Sequence, residues 1–311
     1  MIFPHPKTGK RYNTLNSHLR EKYGTKVFKV MINGGFTCPN IDGTVAYGGC
    51  TFCGAKGSGD FAGDPKDDLV KQFNEVRNLM HIKWPTAKYI GYFQAFTNTH
   101  APLGVLKEKY ETILAADPNI VGLSIGTRPD CLPDDVTHYL GELNQRTNLW
   151  VELGLQTIHD KTGKLINRGH DYQTFLAGLE KLRAHNIDVI VHIINGLPHE
   201  SDEMMMSTAR AVGKLDIQGL KIHLLHVMEG TVMAQMFEEN KQLRFLERNE
   251  YIDLIVRQLE AINPEIVIHR VTGDGFRENL IGPKWSTNKW EILTQIDRTL
   301  AERNTYQGRL F

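Results

Sequence analysis

Residues 120–157 read IVGLSIGTRPDCLPDDVTHYLGELNQRTNLWVELGLQT, and the fold depends on how this stretch divides. Ile120 to Gly126 is a short apolar run, 133–145 is amphipathic with helical spacing, and Leu149 to Thr157 is apolar again. Run, polar loop, helix and run make up a parallel βα unit. Asp134 sits where a helix N-cap is favourable. In the second strand, Val151, Leu153 and Leu155 share one face, while Glu152, Gly154 and Gln156 share the other. A strand with polar groups on one face suits the lumen of a barrel.

Working outward, the same alternation repeats. Further candidate strands are Lys26 to Ile32, Tyr89 to Gln94, Asp188 to Asn195, Leu220 to Val227 and Ile266 to Val271. Helical candidates lie at about 66–82, 103–116, 171–185, 202–214, 231–239, 247–262 and 286–302. Asp171 is a second N-cap candidate, Pro118 and Pro264 follow helical stretches they cannot continue, and Gly219 precedes a strand. No repeat, Ser/Gly linker or low-complexity tract divides the chain. The expectation is therefore one α/β unit: a partial TIM-like (β/α)6 barrel with an added strand and helical N- and C-terminal extensions. Its divisions are a basic extension over 1–30, a core barrel over 31–230, and C-terminal helices with the additional strand over 231–311. Chemistry in such barrels collects at the C-terminal ends of the strands. There the chain carries GGFTCPN, QAFTNTHAP, GTRPDC, LQTIHD, NGLPHE, HVMEGT and VTGDG.

Composition agrees with a folded enzyme-sized protein. The 311 residues are 41% apolar, 23% charged and 9% aromatic, which excludes disorder, collagen and coiled coil. No run of about 18 apolar residues exists, and the opening MIFPHPKTGKRYN lacks the apolar core of a signal peptide. The expectation is a cytoplasmic protein with no membrane partner. Formal charge is zero, but residues 1–30 hold Lys7, Lys10, Arg11, Arg20, Lys22, Lys26 and Lys29 against Glu21 alone, a net of +6. Either a solvated charged face or a phosphate-contacting tail accounts for this.

Cys38 and Cys50 are separated by eleven residues and Cys50 and Cys53 by two, while Cys131 stands apart. Three thiolates on a Gly-rich loop after the first strand can bind three irons of a 4Fe-4S cluster, leaving the fourth iron without a protein ligand. Zinc completed by His81 or His100 is an alternative, as are three buried free cysteines. Cys131 reads as a small buried hydrophobe beside Leu132 or as a thiol hydrogen-atom donor.

Here the sequence resembles a family. The three cysteines, Phe52 between the last two, and a βα barrel opening on this loop look like the radical S-adenosylmethionine (SAM) superfamily. The common spacing places three residues between the first two cysteines; the eleven found here resemble the branch related to the elongator catalytic subunit. KRYNTLNSHLREKYG, GGFTCPNIDGTVAYGGCTFCGAKGSGDFAG, YFQAFTNTHAP, GTRPDCLPDDV, LWVELGLQTIHD, HIINGLPHE, KIHLLHVMEGT, HRVTGDG and PKWSTNKWE are similar to the YtqA/YhcC-like (MnmL-type) radical SAM family over residues 11–291. The resemblance implies an enzyme that cleaves SAM reductively at a 4Fe-4S cluster to generate a 5′-deoxyadenosyl radical. It further implies action on the tRNA wobble uridine, converting 5-carboxymethylaminomethyl-uridine to 5-aminomethyl-uridine. The partners would be tRNA and an electron donor such as a flavodoxin or ferredoxin. A radical SAM enzyme of a small metabolite or peptide, or a noncatalytic metal-cluster scaffold, are the other readings.

Site residues follow from the resemblance. Cys38, Cys50 and Cys53 would be the iron ligands. Glu152 and Gln156 are candidates for SAM ribose or amino contacts, or else members of a buried network without ligand. Gln94 and Thr97 stand where many relatives have a Gly-Gly-Glu that binds the methionyl amine, and no such Glu is present. Arg128 would pair with the SAM carboxylate or be pinned by Asp130. Asn195, Gly196, Leu197 and Pro198 resemble the segment lining the adenine, with Phe52 near the same ring. Lys221 and His223, on one face of the sixth strand, are candidate proton donors, and His192 sits on the fifth. The run Gly54 to Gly63 reads as flexible connection, and Met204 to Met206 as helix surface and core filler.

Overall fold

The alternation seen at residues 120–157 carries through the chain as one winding. In the computed structural model, which describes residues 9–57, 62–240, 242–273 and 277–311, the chain begins with α1 (Leu15–Tyr23), β1 (Val27–Ile32), α2 (Leu69–Lys83), β2 (Lys88–Phe93), α3 (Leu103–Leu114), β3 (Ile120–Thr127), α4 (Asp134–Arg146) and β4 (Asn148–Gln156). It continues with α5 (Asp160–Leu165), α6 (Tyr172–Ala184), β5 (Asp188–Asn195), α7 (Asp202–Gly213), β6 (Gly219–Leu224), β7 (Val227–Met228), α8 (Val232–Glu239), α9 (Arg248–Glu260), β8 (Val267–Arg270), β9 (Leu280–Gly282) and α10 (Lys289–Glu302). Lys7, the middle of the Gly54 to Gly63 run, and Asp274 and Gly275 of VTGDG lie outside the described residues.

Seven strands form one parallel sheet in the order β1-β2-β3-β4-β5-β6-β8, curled into a half-barrel with helices around it. This is the partial TIM-like α/β fold with an added strand. Strand alternation sorts its two faces. Val30, Ile32, Phe93, Leu123, Ile125, Val151, Leu153, Val191, Ile193, Leu220 and Ile222 join the main core under the helices, each burial contributing roughly 1.5–3 kcal/mol before chain entropy is counted. The intervening residues face the lumen.

Helix α1 stops the lumen at its N-terminal end. Thr14 caps it by accepting from Ser17 N at 3.3 Å, and Gly24 ends it in the left-handed region at φ 70°. Its Leu19, with Leu15 and Tyr23, packs on Val27, Ile90, Trp150 and Ile190, the lowest apolar residues on the lumen face of β1, β2, β4 and β5. The loops rich in polar residues gather at the opposite end.

Several boundaries differ from expectation. Asp134 is not the cap of α4: Pro133 holds that place without a side-chain bond, and the Asp134 carboxylate instead meets Lys181 Nζ at 2.8 Å. Asp171 does cap α6, accepting from Thr174 N at 2.8 Å. The strand expected over Leu220 to Val227 breaks after Leu224, because the chain turns at the rim and Val227–Met228 pairs antiparallel with β9. Gly219 lies inside β6, where an added Cβ would meet His269 Nε2 at 2.7 Å. The helix expected over 286–302 starts as a 3-10 turn, Lys284–Thr287, and restarts at Lys289 under the Asn288 cap. Helix α5 and strand β9 were not anticipated. Among the described residues, no helix is long and apolar enough to cross a membrane.

Candidate functional site

One layer above the α1 plug, alternation brings Lys29, Tyr92, Ser124, Glu152, His192 and Lys221 together from six successive strands. The Glu152 carboxylate, 1% exposed, is the centre. Its Oε1 accepts from Ser124 Oγ at 2.7 Å and from Lys29 Nζ; its Oε2 accepts from Tyr92 OH and His192 Nε2, both at 2.8 Å, and from Lys221 Nζ. Burial alone would raise this carboxyl's pKa, but the charges of Lys221 and Lys29 and the bond from His192 hold it well below the usual carboxylate range. Burial brings Lys221 down to about 7 and His192 to about 4, so the histidine is neutral at pH 7. Lys29 lies over the rings of Tyr92 at 4.5 Å and Trp150 at 5.0 Å. Beyond Lys221 on the same face of β6, His223 sits 5.1 Å, ring to ring, from His192, and its Nε2 is buried with no hydrogen-bond partner among the described residues. Glu152 is thus the hub of a buried network.

Lys29 belongs to this layer and not to a surface patch. Lys10 likewise bonds Asp297, and Arg11 reaches Thr305 O at 3.2 Å, so these members of the basic extension are turned onto the protein itself. Lys29, Tyr92 and Ser124 escaped the sequence reading. The available signal was the lone charge in VFKVMI, read with the alternation that had been applied to β4.

Directly above Ser124 and Glu152, Gly126 and Gly154 present no side chain to the lumen. Gln156, at φ 63°, ends β4 in the left-handed region, and its Nε2 lies 2.7 Å from where a Cβ on Gly154 would be. Ala95 and Phe96 after β2 and His199 after β5 share that conformation, so backbone strain concentrates on the rim where the loops meet.

The cysteine loop follows β1 onto this rim. Ile41 N and Asp42 N turn back onto Cys38 O at 2.8 and 3.0 Å, and the left-handed Gly48 and Gly49 (φ 83° and 73°) return the chain to Cys50. Asn40, fully buried, donates from Nδ2 to Asn167 O and to Cys50 Sγ at 3.7 Å. Asn167 donates to Gly49 O at 2.7 Å and Tyr47 O at 3.1 Å, and Thr51 N donates to Ile166 O at 3.0 Å. The segment after α5 thus staples the loop down. Arg168 anchors that segment, its Nη1 donating to Leu155 O and Thr157 O at 2.6 Å each.

None of the three cysteines is in a disulfide. Burial pushes Cys50 up to about 12, reinforced by Cys53 and opposed by Arg128. Among the described residues, no three His, Cys, Asp or Glu side chains converge on one ion position; a cubane cluster asks for a different arrangement, because each of its cysteines takes a separate iron. Three thiols outside any disulfide, with an N–H donor on one sulfur and a guanidinium nearby, are a donor set that fits such a cluster. His81 is exposed on α2, and His100 Nε2 is engaged with Asp42 Oδ2 of the cysteine loop at 2.9 Å.

Arg128 is held by Asp130, with bonds of 3.0 and 2.7 Å, and donates to Arg168 O at 2.7 Å. Burial works against its charge, but Asp130 and the nearby Cys50 and Cys38 keep its pKa above the ordinary value. The Asn195 amide is spent on Gln258 of α9, with reciprocal bonds of 2.8 and 2.9 Å. Gly196 N donates to Met205 Sδ at 3.1 Å, so the Met204 to Met206 run supports this segment. Phe52 and Leu197 meet in one apolar cluster with Ile166, Leu225 and Met233. Thr97 is buried, its N bonded to Thr37 O at 3.1 Å, and Gln94 N bonds Ile32 O at 3.1 Å. Cys131 is buried beside Leu132, its thiol pushed up to about 12 by burial and Asp130.

With this geometry in hand, comparison with known proteins is informative. Residues 44–212 match the family model described as the radical SAM superfamily, and 217–302 match the radical SAM C-terminal domain. The chain is 60% identical over 309 residues to YtqA of Bacillus subtilis (strain 168), covering 99% of this chain and 95% of that one. It is 30% identical over 176 residues to a tRNA uridine(34) acetyltransferase of Dehalococcoides mccartyi, covering 55% of this chain but 37% of that protein. Among solved structures, Methanocaldococcus infernus Elp3 with an N-terminal deletion superposes with a TM-score of 0.68 at 18% identity, covering 90% of this chain and 64% of that one. That last likeness is one of fold.

Proposed function

The chain belongs to the radical SAM superfamily and is a radical SAM enzyme, and from that premise we propose that it modifies the wobble uridine of tRNA, converting 5-carboxymethylaminomethyl-uridine to 5-aminomethyl-uridine. Enzymes of this family use a 4Fe-4S cluster and SAM. When bound, these supply one electron to the sulfonium C–S bond of SAM and so a 5′-deoxyadenosyl radical for hydrogen abstraction.

In this reading Cys38, Cys50 and Cys53 hold three irons, on a loop that Asn40, Asn167 and Arg168 make rigid. Phe52 and Leu197 form an apolar wall for the adenine, with Asn195, Gly196 and Pro198 continuing it. Gly126 and Gly154 leave room for the methionyl end above the ionic layer, within reach of Gln94, Thr97 and Gln156. Arg128 acts through Asp130 as a positive neighbour of the thiols and not as a SAM carboxylate clamp. Glu152 positions Lys221 and His192 and does not touch SAM. The α1 plug keeps water out of the lumen from below. A flavodoxin or ferredoxin would reduce the cluster.

The observation that carries the tRNA substrate is the 30% identity, over more than half of this chain, to a protein named for tRNA uridine 34. A flipped-out base is the form of that substrate a barrel mouth can take. The test is mass spectrometry of tRNA nucleosides from cells lacking this protein, beside the parent strain. Accumulated 5-carboxymethylaminomethyl-uridine with lost aminomethyl forms supports the reading; an unchanged profile removes it. A second reading, a small metabolite or peptide substrate, is favoured by one observation: Lys10 and Lys29, counted in the basic extension, are bound to Asp297 and Glu152.

A further inference from the structure

An ammonium has three donors, and a carboxylate has about four lone-pair sites. Glu152 accepts from five groups, on Lys29, Ser124, Tyr92, His192 and Lys221, and has no room for a further donor. Lys221 gives one N–H to Glu152 and one to Tyr92 OH at 3.2 Å, which leaves a third. Two residues farther along β6, toward the open end of the lumen, the buried Nε2 of His223 has no hydrogen-bond partner among the described residues. Charge is out of balance in the same sense: when both are protonated, Lys29 and Lys221 share the one carboxylate of Glu152, an excess of positive charge in a place where an uncompensated charge is costly. His192 and His223 do not add to it, since burial keeps both neutral.

An acceptor group carrying one negative charge meets both needs at once. A hydroxyl or amide would leave the charge, whereas a carboxylate supplies both the acceptor and the negative charge. We propose that Lys221 and His223 form a carboxylate-binding site on the lumen wall, which takes the carboxymethyl end of the substrate. Identifying the group as that carboxymethyl rests on the wobble-uridine reading above; the carboxylate site itself does not. His223 donates from Nε2 and Lys221 from its unspent N–H, while Glu152, Tyr92 and Ser124 hold the lysines in place. His192 on β5 and His269 and Arg270 on β8 also face the layer. Burial already brings Lys221 down to about 7, so a bound carboxylate restores its proton, and binding above neutral pH takes a proton up.

The test uses the anaerobically reconstituted protein with 13C-labelled lysine, acetate as the carboxylate probe and acetamide as its neutral control. The Lys221 signal is assigned by its loss in Lys221→Met. Acetate should raise its titration midpoint from about 7 to above about 8, as an opposite charge at contact does, and acetamide should leave it in place. No response to acetate overturns the site, whatever the RNA shows. In a second arm, kcat/KM is compared for an anticodon stem-loop carrying the carboxymethylaminomethyl group and for its carboxamide analogue. Wild type should prefer the carboxylate by about 10- to 100-fold, the range of one charged hydrogen bond, and Lys221→Met should abolish that preference. Equal losses on both RNAs would mean a merely structural lysine and overturn the proposal. An acetate response with no turnover of either RNA would sink the wobble-uridine reading and leave a carboxylate site for another substrate.

Discussion

Glu152 is the residue on which the lumen depends. It is buried, it is the one counter-ion that Lys29 and Lys221 share, and five groups donate to it. Glu152→Gln would leave two buried cations without a counter-ion, and urea unfolding should show a loss of about 3–5 kcal/mol; an unchanged midpoint would mean that the layer is solvated. The same residue scale sets a pH dependence. Lys221 titrates near 7 when folded but near 10.4 when unfolded. Between these values the unfolded chain binds more protons, so this group makes stability rise with pH over that window, and its full cost is felt below pH 7. Lys221→Met should therefore flatten the wild-type rise between pH 7 and 10, measured by urea unfolding at several pH values. Much of this was legible in sequence, since alternation put Glu152 on the lumen face and paired Lys221 with His223. Lys29 was not, because a lysine near a basic terminus reads as surface until its strand is paired.

Elements position what residues cannot. Helix α1 carries an unremarkable polar sequence, LNSHLREKY, yet Leu19 closes the barrel against Trp150, Ile90 and Ile190. Leu19→Ala should cost about 2–5 kcal/mol, read from the denaturation midpoint; a cost below about 1 kcal/mol would show that the plug is loose. The segment after α5 is the second such element. Gly169 has φ 81°, and a Cβ there would come 2.6 Å from Asn40 Oδ1 and 3.1 Å from Arg128 Nη2. Asn40 cannot swing away without losing Asn167 O and Cys50 Sγ. Gly169→Ala should lower the iron bound per protein on reconstitution while circular dichroism stays native; full iron loading would separate the staple from the cluster. A helical N-terminal extension was expected, but its place under the barrel was not visible, and the segment after α5 was missed because a loop asparagine carries no periodic signal. The break after Leu224 escaped for a related reason. Apolar continuity through Leu225 to Val227 reads as one strand, and only pairing with β9 shows that it is two.

At the scale of the molecule, a parallel sheet curled into a half-barrel separates the work by height. The apolar plug lies lowest, the ionic layer above it, then two glycines, then the rim with its thiols and strained loops. The order of βα units was legible throughout, since periodicity alone marks each one, and the three cysteines marked the rim. What periodicity cannot give is which lumen residues meet across strands, because register is a tertiary property. Under the proposed function this barrel runs radical SAM chemistry on a wobble uridine. The most direct test is to incubate the anaerobically reconstituted protein with SAM, a reductant and tRNA bearing 5-carboxymethylaminomethyl-uridine, and to quantify 5′-deoxyadenosine and the wobble nucleoside together. The account predicts that both 5′-deoxyadenosine and 5-aminomethyl-uridine form, and that neither forms with Cys50→Ala. SAM cleavage that leaves the wobble nucleoside unchanged would contradict it.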